Sequence, residues 1–242
     1  MRILKRASIA SVALAAMTCS VSAASLQVAP TTVEIPAGVS ASTLNIKNTG
    51  SEPLRAQVRV FRWSMVNGEE KLEPATDVVA SPPMATVKPN TDYTMRLVRL
   101  SKTPVTAEET YRIWIDEIPE NKTVKSGGFV NMTFRYSIPV FFLPAAEQAP
   151  DIKWSQERRG GKLYVSATNA GGRRVRVADI AFGEGKGKPV WVAKGLAGYV
   201  LARSSKSWVA PAALQKSAQP LLITAQSDSG PINAQALPPQ SR

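Results

Sequence analysis

The chain has 242 residues, 44% of them hydrophobic, and 30 Lys and Arg against 18 Asp and Glu, a formal net charge of +12. It has no His and one Cys, Cys19, which excludes most hydrolase triads, thiol nucleophiles and zinc sites. Neither a Gly-rich phosphate loop nor a calcium loop is present, so no enzyme is expected, and no cofactor or metal.

Residues 1–23 read as an export signal. Arg2, Lys5 and Arg6 form a basic start, Ala7 to Cys19 is an apolar run too short to span a bilayer comfortably, and Val21-Ser22-Ala23 fits a small-residue cleavage site. The mature chain then begins at Ala24 or Ser25, with no membrane span and without its only Cys. It must stabilise itself by burial rather than by disulfides.

From Leu26 onward, short alternating segments are separated by turns, and no helical period is sustained. Leu26 to Ile35 is the first strand, broken at Pro30. Ser42 to Lys47 follows, and Asn48-Thr49-Gly50 turns the chain. Arg55 to Trp63 sets Ala56, Val58 and Val60 against Gln57, Arg59 and Phe61, and Asn67-Gly68 is a strong hairpin turn. Val78 to Ala80, Tyr93 to Leu100 and Tyr111 to Ile118 continue the pattern, and Pro119 to Gly128 is a polar loop. With the strand that follows the loop, about seven strands at this spacing fit an immunoglobulin-like sandwich lacking its disulfide.

Val130 to Leu143 is the last strand of this part. Val130, Met132, Phe134, Tyr136, Ile138 and Val140 share one parity, and Asn131, Thr133, Arg135 and Ser137 share the other. The apolar row either faces the protein's own core or is offered as an added strand to another protein's sheet. Pro139 has no N–H to give to a ladder, so it marks an edge, a bulge or the end of regular pairing.

Residues 24–145 thus form a first domain and residues 146–150 a hinge. Residues 151–229 form a second, smaller all-β domain, with strands expected from Ile152, Lys162, Arg174, Val190, Tyr199, Ser207 and Leu221. Residues 230–242, rich in Pro, Gln and Ser, are expected to be disordered. Residues 24–150 hold 13 basic and 13 acidic side chains, whereas residues 151–242 hold 14 and 5, a net +9. Export argues against a nucleic-acid partner. The basic half is a solvated face, or it steers toward an acidic partner or an anionic membrane surface. The adjacent carboxylates Asp116-Glu117 point to opposite faces of a strand, and Glu69-Glu70 and Glu108-Glu109 read as solvated surface.

The ordered set Leu26 to Gly38, Val79-Ala80-Ser81-Pro82-Pro83, Met95-Arg96-Leu97, Asp116-Glu117-Ile118-Pro119 and Val130 to Ala146 resembles the periplasmic pilus (fimbrial) assembly chaperones of the chaperone-usher pathway, and looks closer to their divergent, archaic-type branch. The resemblance implies two immunoglobulin-like β-sandwiches at an angle, with a cleft between them. It also implies pilus subunits and an outer-membrane usher as partners, and the periplasm as location. Such chaperones lend a strand to a subunit whose own sandwich is incomplete. Val130, Met132 and Phe134 match the donated row, and Tyr136 extends it.

Two positions depart from the family's pattern. The Arg and Lys that hold the subunit's C-terminal carboxylate in better-known members fall at Thr32 and Pro139. Arg112, Arg135 and Arg96 are the candidate replacements, since a carboxylate in a partly buried cleft still needs a cation. The family's interdomain charge network has an Arg where this chain has Leu143, while Glu117 and Asp228 match its acidic members. Two alternatives remain open: a secreted structural or adhesive two-sandwich protein that buries the last strand internally, and a β-sandwich carbohydrate hydrolase, for which no carboxylate pair is apparent.

Overall fold

The computed structural model describes residues 26–118, 133–185 and 187–237. The first ten strands are β1 (Leu26–Ala29), β2 (Val33–Ile35), β3 (Ala41–Asn48), β4 (Leu54–Val66), β5 (Glu69–Pro74), β6 (Val78–Ser81), β7 (Met84–Val87), β8 (Asp92–Arg99), β9 (Glu109–Ile118) and β10 (Arg135–Phe142). They form two facing sheets, one in the order β1-β3-β8-β6 and one in the order β2-β10-β9-β4-β5, with β7 also paired to β4. The alternation read from the sequence explains the packing. Leu44 and Ile46 on β3, Met95 and Leu97 on β8, Tyr111, Ile113 and Ile115 on β9, and Ile138, Val140 and Phe142 on β10 all meet in one buried core.

The first strand breaks at Pro30, and its halves serve different sheets. β1 pairs antiparallel with β3, and β2 pairs parallel with residues 140–142 of β10. The hairpin between β4 and β5 turns at Asn67 (φ 53°) and Gly68 (φ 81°), the two left-handed residues that a two-residue turn requires.

The second half contains β11 (Ile152–Arg159), β12 (Lys162–Asn169), β13 (Val175–Gly183), β14 (Val190–Val200), β15 (Ser204–Val209), a short 3-10 turn (Ala212–Leu214), β16 (Leu221–Ser227) and β17 (Gly230–Ala236). Its sheets run β11-β12-β15 and β14-β13-β16-β17 around a separate core that includes Leu163, Val165, Val177, Phe182, Val200 and Ile223. The fold is all-β, two sandwiches joined in sequence, as the alternating pattern implied. No α-helix occurs among the described residues, and none of their helices is long and apolar enough to cross a membrane.

The C-terminal expectation needs correction. Gly230–Ala236 is not a disordered tail but the edge strand β17, paired along its whole length with β16. Ile232 and Ala234 pack on the second core and Ala236 is fully buried. Pro231 fits because an edge strand can spare an N–H. The alternation of Ile232, Ala234 and Ala236 was hidden by small side chains and by the Pro, Gln and Asn between them. Leu237 continues the contact, its N–H donating to the Trp154 carbonyl at 3.3 Å.

Truncation after Ser229 should therefore remove a strand and expose Leu221, Ile223 and Ala225 along one edge. A loss of about 3 kcal/mol or more is expected from the apolar area uncovered, read as a lower thermal midpoint, whereas truncation after Leu237 should leave the midpoint unchanged. Equal midpoints for the two truncations would show that β17 contributes nothing.

Candidate functional site

The site begins with the two edges of β10. Toward β9 the strand is paired over its full length, from Arg135 opposite Asp116 to Phe142 opposite Glu109. Toward β2 it is paired only from Val140 to Phe142. Glu117 N–H donates to the Phe134 carbonyl at 3.0 Å, and this sets the ladder's phase: even-numbered residues of β10 face β9 with their backbone groups, and odd-numbered ones face away. The N–H and C=O of Arg135 and Ser137 therefore point to an edge that no strand among the described residues occupies, whereas the Pro139 C=O faces Val33, where the pairing with β2 begins. Pro139, with no N–H, stands where β2 takes over.

Along this edge the apolar row leaves the protein's own core in steps. Val140 and Ile138 are buried, Tyr136 packs against the core's margin, and Phe134 is half-buried. Tyr136 Oη donates a hydrogen bond to the Leu26 carbonyl, which ties β10 to β1 across the open side of the sandwich. A groove beside it is lined by Gln27, Val28, Ala29 and Tyr136. Val130 and Met132, the first two positions of the expected row, lie outside the described residues.

The opposite parity of β10, β9 and β4 forms the outer face of that sheet. Register places Pro139, Arg112 and Phe61 in one row, Ser137, Trp114 and Arg59 in the next, and Arg135, Asp116 and Gln57 beyond. Phe61 and Trp114 rings lie 4.5 Å apart. The Trp114 ring is covered by the Arg135 guanidinium at 4.2 Å and approached by that of Arg59 at 5.3 Å. Both arginines pair with Asp116, Arg59 at 2.6 Å. Burial alone would raise the Asp116 carboxyl, but hydrogen bonds from Arg135 and Arg59 outweigh it and hold it below the usual carboxylate range.

At its far end this face disappears under the second sandwich. Trp63 and Phe141 pack with Tyr199 and Leu201 in a third core, and the Trp63 and Tyr199 rings meet edge to face at 5.3 Å. Arg112, 9% exposed, stacks on Trp63 at 3.9 Å and contacts Glu70 at 3.3 Å. Burial lowers its pKa, and the charge of Glu70 opposes that shift. Beside it the β4–β5 hairpin rests on β15: Ser207 N–H donates to the Gly68 carbonyl at 3.0 Å, and a Cβ at Gly68 would lie 2.3 Å from Ser207 Oγ. The groove between the two sandwiches is lined by Met65, Asn67, Gly68, Ser155, Arg159 and Ser207, among others.

Arg174 crosses the same interface. Its guanidinium stacks on Phe141 at 3.3 Å and pairs with Glu108 and Glu34 of the first sandwich. The Arg174 and Glu108 side chains are only 3% and 1% exposed. Burial pushes Glu108 up despite the opposing effect of Arg174.

Arg112 and Arg135 share one face, four residues apart along the strands, or about 13 Å. Arg96 does not join them: it is exposed on β8, in the other sheet. Glu117 is half-buried and Asp228 exposed in the turn after β16, and neither forms an ion pair among the described residues. Among the described residues the charges that pair across the sandwiches are Arg174 and Arg173 with Glu34 and Glu108, and Lys206 of β15 with Glu70 of β5 at 3.9 Å. Sequence reading missed them, but one signal was available. Val140-Phe141-Phe142-Leu143 interrupts the alternation with apolar residues on both parities, the pattern of a strand covered on both faces.

A comparison with protein families matches residues 25–148 to the pili and flagellar-assembly chaperones, PapD N-terminal domain. The chain belongs to this chaperone family. Comparison with curated proteins gives no match. Among solved structures, the chaperone is similar to a chain of the CsuC–CsuE chaperone–tip adhesion subunit pre-assembly complex from archaic chaperone-usher Csu pili of Acinetobacter baumannii. The TM-score is 0.69 at 22% identity, over 90% of this chain and 100% of that one. It is also similar to the YadV chaperone, with TM-score 0.64 at 18% identity over 88% and 100% of the two chains. A chain of the Salmonella enterica SafA pilin–SafB chaperone complex matches with TM-score 0.61 at 20% identity, over 87% and 96%. These likenesses establish a shared two-sandwich fold.

In this chaperone Arg174→Ala should cost about 3–5 kcal/mol in urea unfolding, because it leaves Glu108 buried without its cation. Glu108→Gln should cost less at neutral pH, since the raised carboxyl is already held ionised against its preference. The sign of the pH effect follows. Glu108 contributes stability below the ordinary carboxylate pKa of about 4.3, and that contribution is lost as pH rises through its raised value. Glu108→Gln should remove that part of the profile; an unchanged profile would contradict the assignment.

Proposed function

We propose that this protein is a periplasmic chaperone that holds pilus subunits by lending the open edge of β10 to their sheet, and delivers them to an outer-membrane usher. One observation carries the reading: β10 is paired on both sides only from Val140, and its free stretch is flanked by an apolar row that is leaving the protein's own core. A subunit strand laid against Arg135 and Ser137 would satisfy the outward backbone groups. Phe134, with Met132 and Val130 before it, would enter the subunit's own core. Tyr136 is the point of hand-over between the two cores. Burying each large side chain contributes about 1.5–3 kcal/mol before ordering costs.

Arg112 is the anchor proposed for the subunit's chain-terminal carboxylate, because it lies level with Pro139 at the end of the free edge and beside Tyr199 of the second sandwich. Arg135, paired with Asp116 at the other end of the same face, fits a flanking role. The first domain then runs to about residue 145, with a hinge at 146–150 and a second domain extending through β17. The departures at Thr32 and Pro139, together with the likeness to the Csu complex, support the archaic-type branch. The N-terminal signal supports the periplasm.

The test is co-purification of a candidate subunit from periplasm. Met132→Asp/Phe134→Asp should keep the β-sheet circular dichroism of the wild type and lose the subunit. Tyr136→Asp should destabilise the protein itself. Arg112→Ala should weaken capture by about 1.5–3 kcal/mol, the worth of a hydrogen bond to a charged group. If Met132→Asp/Phe134→Asp unfolds the protein, the row belongs to its own core, and the reading as a structural two-sandwich protein replaces this one.

A further inference from the structure

The far edge of β10 changes hands within a few residues. Arg135 and Ser137 face no strand among the described residues, and from Val140 the same edge is taken by β2. β2 is only three residues long, Val33–Ile35, and exposed residues stand on both sides of it, Thr31 and Thr32 before and Pro36 after. Where the free edge stops is therefore decided by whatever keeps β2 in place.

β2 is held in three ways. Val33 and Ile35 are buried in the first core. The backbone pairs in parallel with β10, and the Leu143 N–H donates to the Ile35 carbonyl at 2.9 Å. Glu34, between the two buried residues, takes the opposite face of the strand, where it pairs with Arg174 and, at 3.4 Å, with Arg173. A ladder of three residues is at the short end for a strand, so the third hold adds materially to the other two.

The placement of Arg174 suits this grip. Its guanidinium lies 3.3 Å over the ring of Phe141, the residue opposite Glu34 on β10. It reaches Glu34 of β2 on one side and Glu108, the residue before β9, on the other, and the Arg174 N–H also donates to the Glu108 carboxylate at 3.1 Å. One side chain from the second sandwich thus spans β2, β10 and the start of β9, at the point where β10 becomes paired on both edges. Glu108 is buried, whereas the Glu34 side chain is 42% exposed. Glu34 is therefore the contact that can be removed without leaving the buried cation unpaired.

We propose that Arg174, assisted by Arg173, is a positioning residue that fixes the length of the free edge of β10. By pinning Glu34 it keeps β2 on residues 140–142 and confines an added strand to Arg135 and Ser137. The inference rests on the reading of β10 as a lent strand, and adds that the second sandwich decides, through β2, how much of that strand is lent. With β2 pinned, the partner's ladder stays short. With β2 released, the N–H groups of Phe141 and Leu143 become a further stretch of the same edge.

The test uses the full mature protein with Glu34→Gln or Arg173→Ala, both of which leave Arg174 paired with Glu108. Hydrogen exchange is read by NMR at Phe141 and Leu143, whose N–H groups face β2, and at Ile138 and Val140, whose N–H groups face β9. Glu34→Gln should speed exchange at Phe141 and Leu143 about tenfold, the worth of a charge-assisted hydrogen bond, and leave Ile138 and Val140 unchanged. Arg173→Ala should do the same more weakly. Two strand mimics with C-terminal amides, N-acetyl-Val-Thr-Val-Thr and the same repeat at twice the length, are then titrated. The longer should bind Glu34→Gln about tenfold more tightly than wild type, and the shorter should bind both equally. Unchanged exchange at Phe141 and Leu143, or a rise shared by Ile138 and Val140, overturns the inference. If exchange is unchanged while both peptides protect Arg135 and Ser137, the lent edge stands without the pin. If exchange rises at Phe141 and Leu143 alone but neither peptide binds, the pin stands and the lent edge falls.

Discussion

A β-strand can share its backbone with two neighbours, and β10 does so only over its last three residues. Everything else in the molecule can be placed relative to that change at Val140. Downstream, Val140, Phe141 and Phe142 are covered on both faces and paired on both edges, which makes this the most firmly held part of the strand. Upstream, the same strand keeps β9 but loses β2, and its apolar parity moves from full burial at Ile138 to partial burial at Tyr136 and Phe134. The free edge is thus held rigid from one side and open on the other, the arrangement that adding a strand requires. An edge of this kind invites uncontrolled pairing. Here Pro139, the paired charges of Arg135 and Asp116, and the short length of the open stretch restrict what can add to it.

The second sandwich gives that edge its context. Trp63 and Phe141 would be exposed aromatics if the first sandwich stood alone; Tyr199, Leu201 and the Arg174 guanidinium cover them. The buried charges at this junction act chiefly to specify geometry, because desolvation cancels much of what a buried ion pair gains. The raised pKa of Glu108 is the local sign of that cost. What the pairing provides is one relative placement of the two sandwiches, in which Arg112 and Lys206 approach Glu70 at the junction. The basic character of the second half fits this picture, since Arg173, Arg174 and Lys206 direct part of it toward acidic side chains of the first.

Much of the first sandwich was legible because its strands alternate strictly. Leu44 and Ile46, Met95 and Leu97, and Tyr111, Ile113 and Ile115 lie in the core as their parity indicated, and Asn67-Gly68 makes the hairpin its composition implied. The second sandwich was less legible where alternation is irregular. β13 and β14 carry register shifts, so Val190–Val200 looked like two short strands, and β17 was masked by small and polar residues. The candidate site was legible only in part. The strand and its apolar row followed from periodicity, and Arg135 fell on the strand's polar parity, but that Arg112 shares its face follows only from the register between β9 and β10. Which face a second domain covers is a long-range property, however, so the partners of Arg174 and the meeting of Glu70 with Lys206 had no local signature. Arg96 shows the same limit: its parity is clear, but the sheet that carries it is set by topology.

The central claim is that the Arg135–Ser137 edge of β10 is free until a pilus subunit pairs with it. Hydrogen exchange at the Arg135 and Ser137 amides measures this most directly, because both N–H groups point away from β9. The account predicts fast exchange at both positions in the free protein, beside slow exchange at Tyr136 and Ile138, and strong protection of Arg135 and Ser137 once a subunit is bound. Slow exchange at Arg135 and Ser137 in the free protein, or no change on subunit binding, would contradict it.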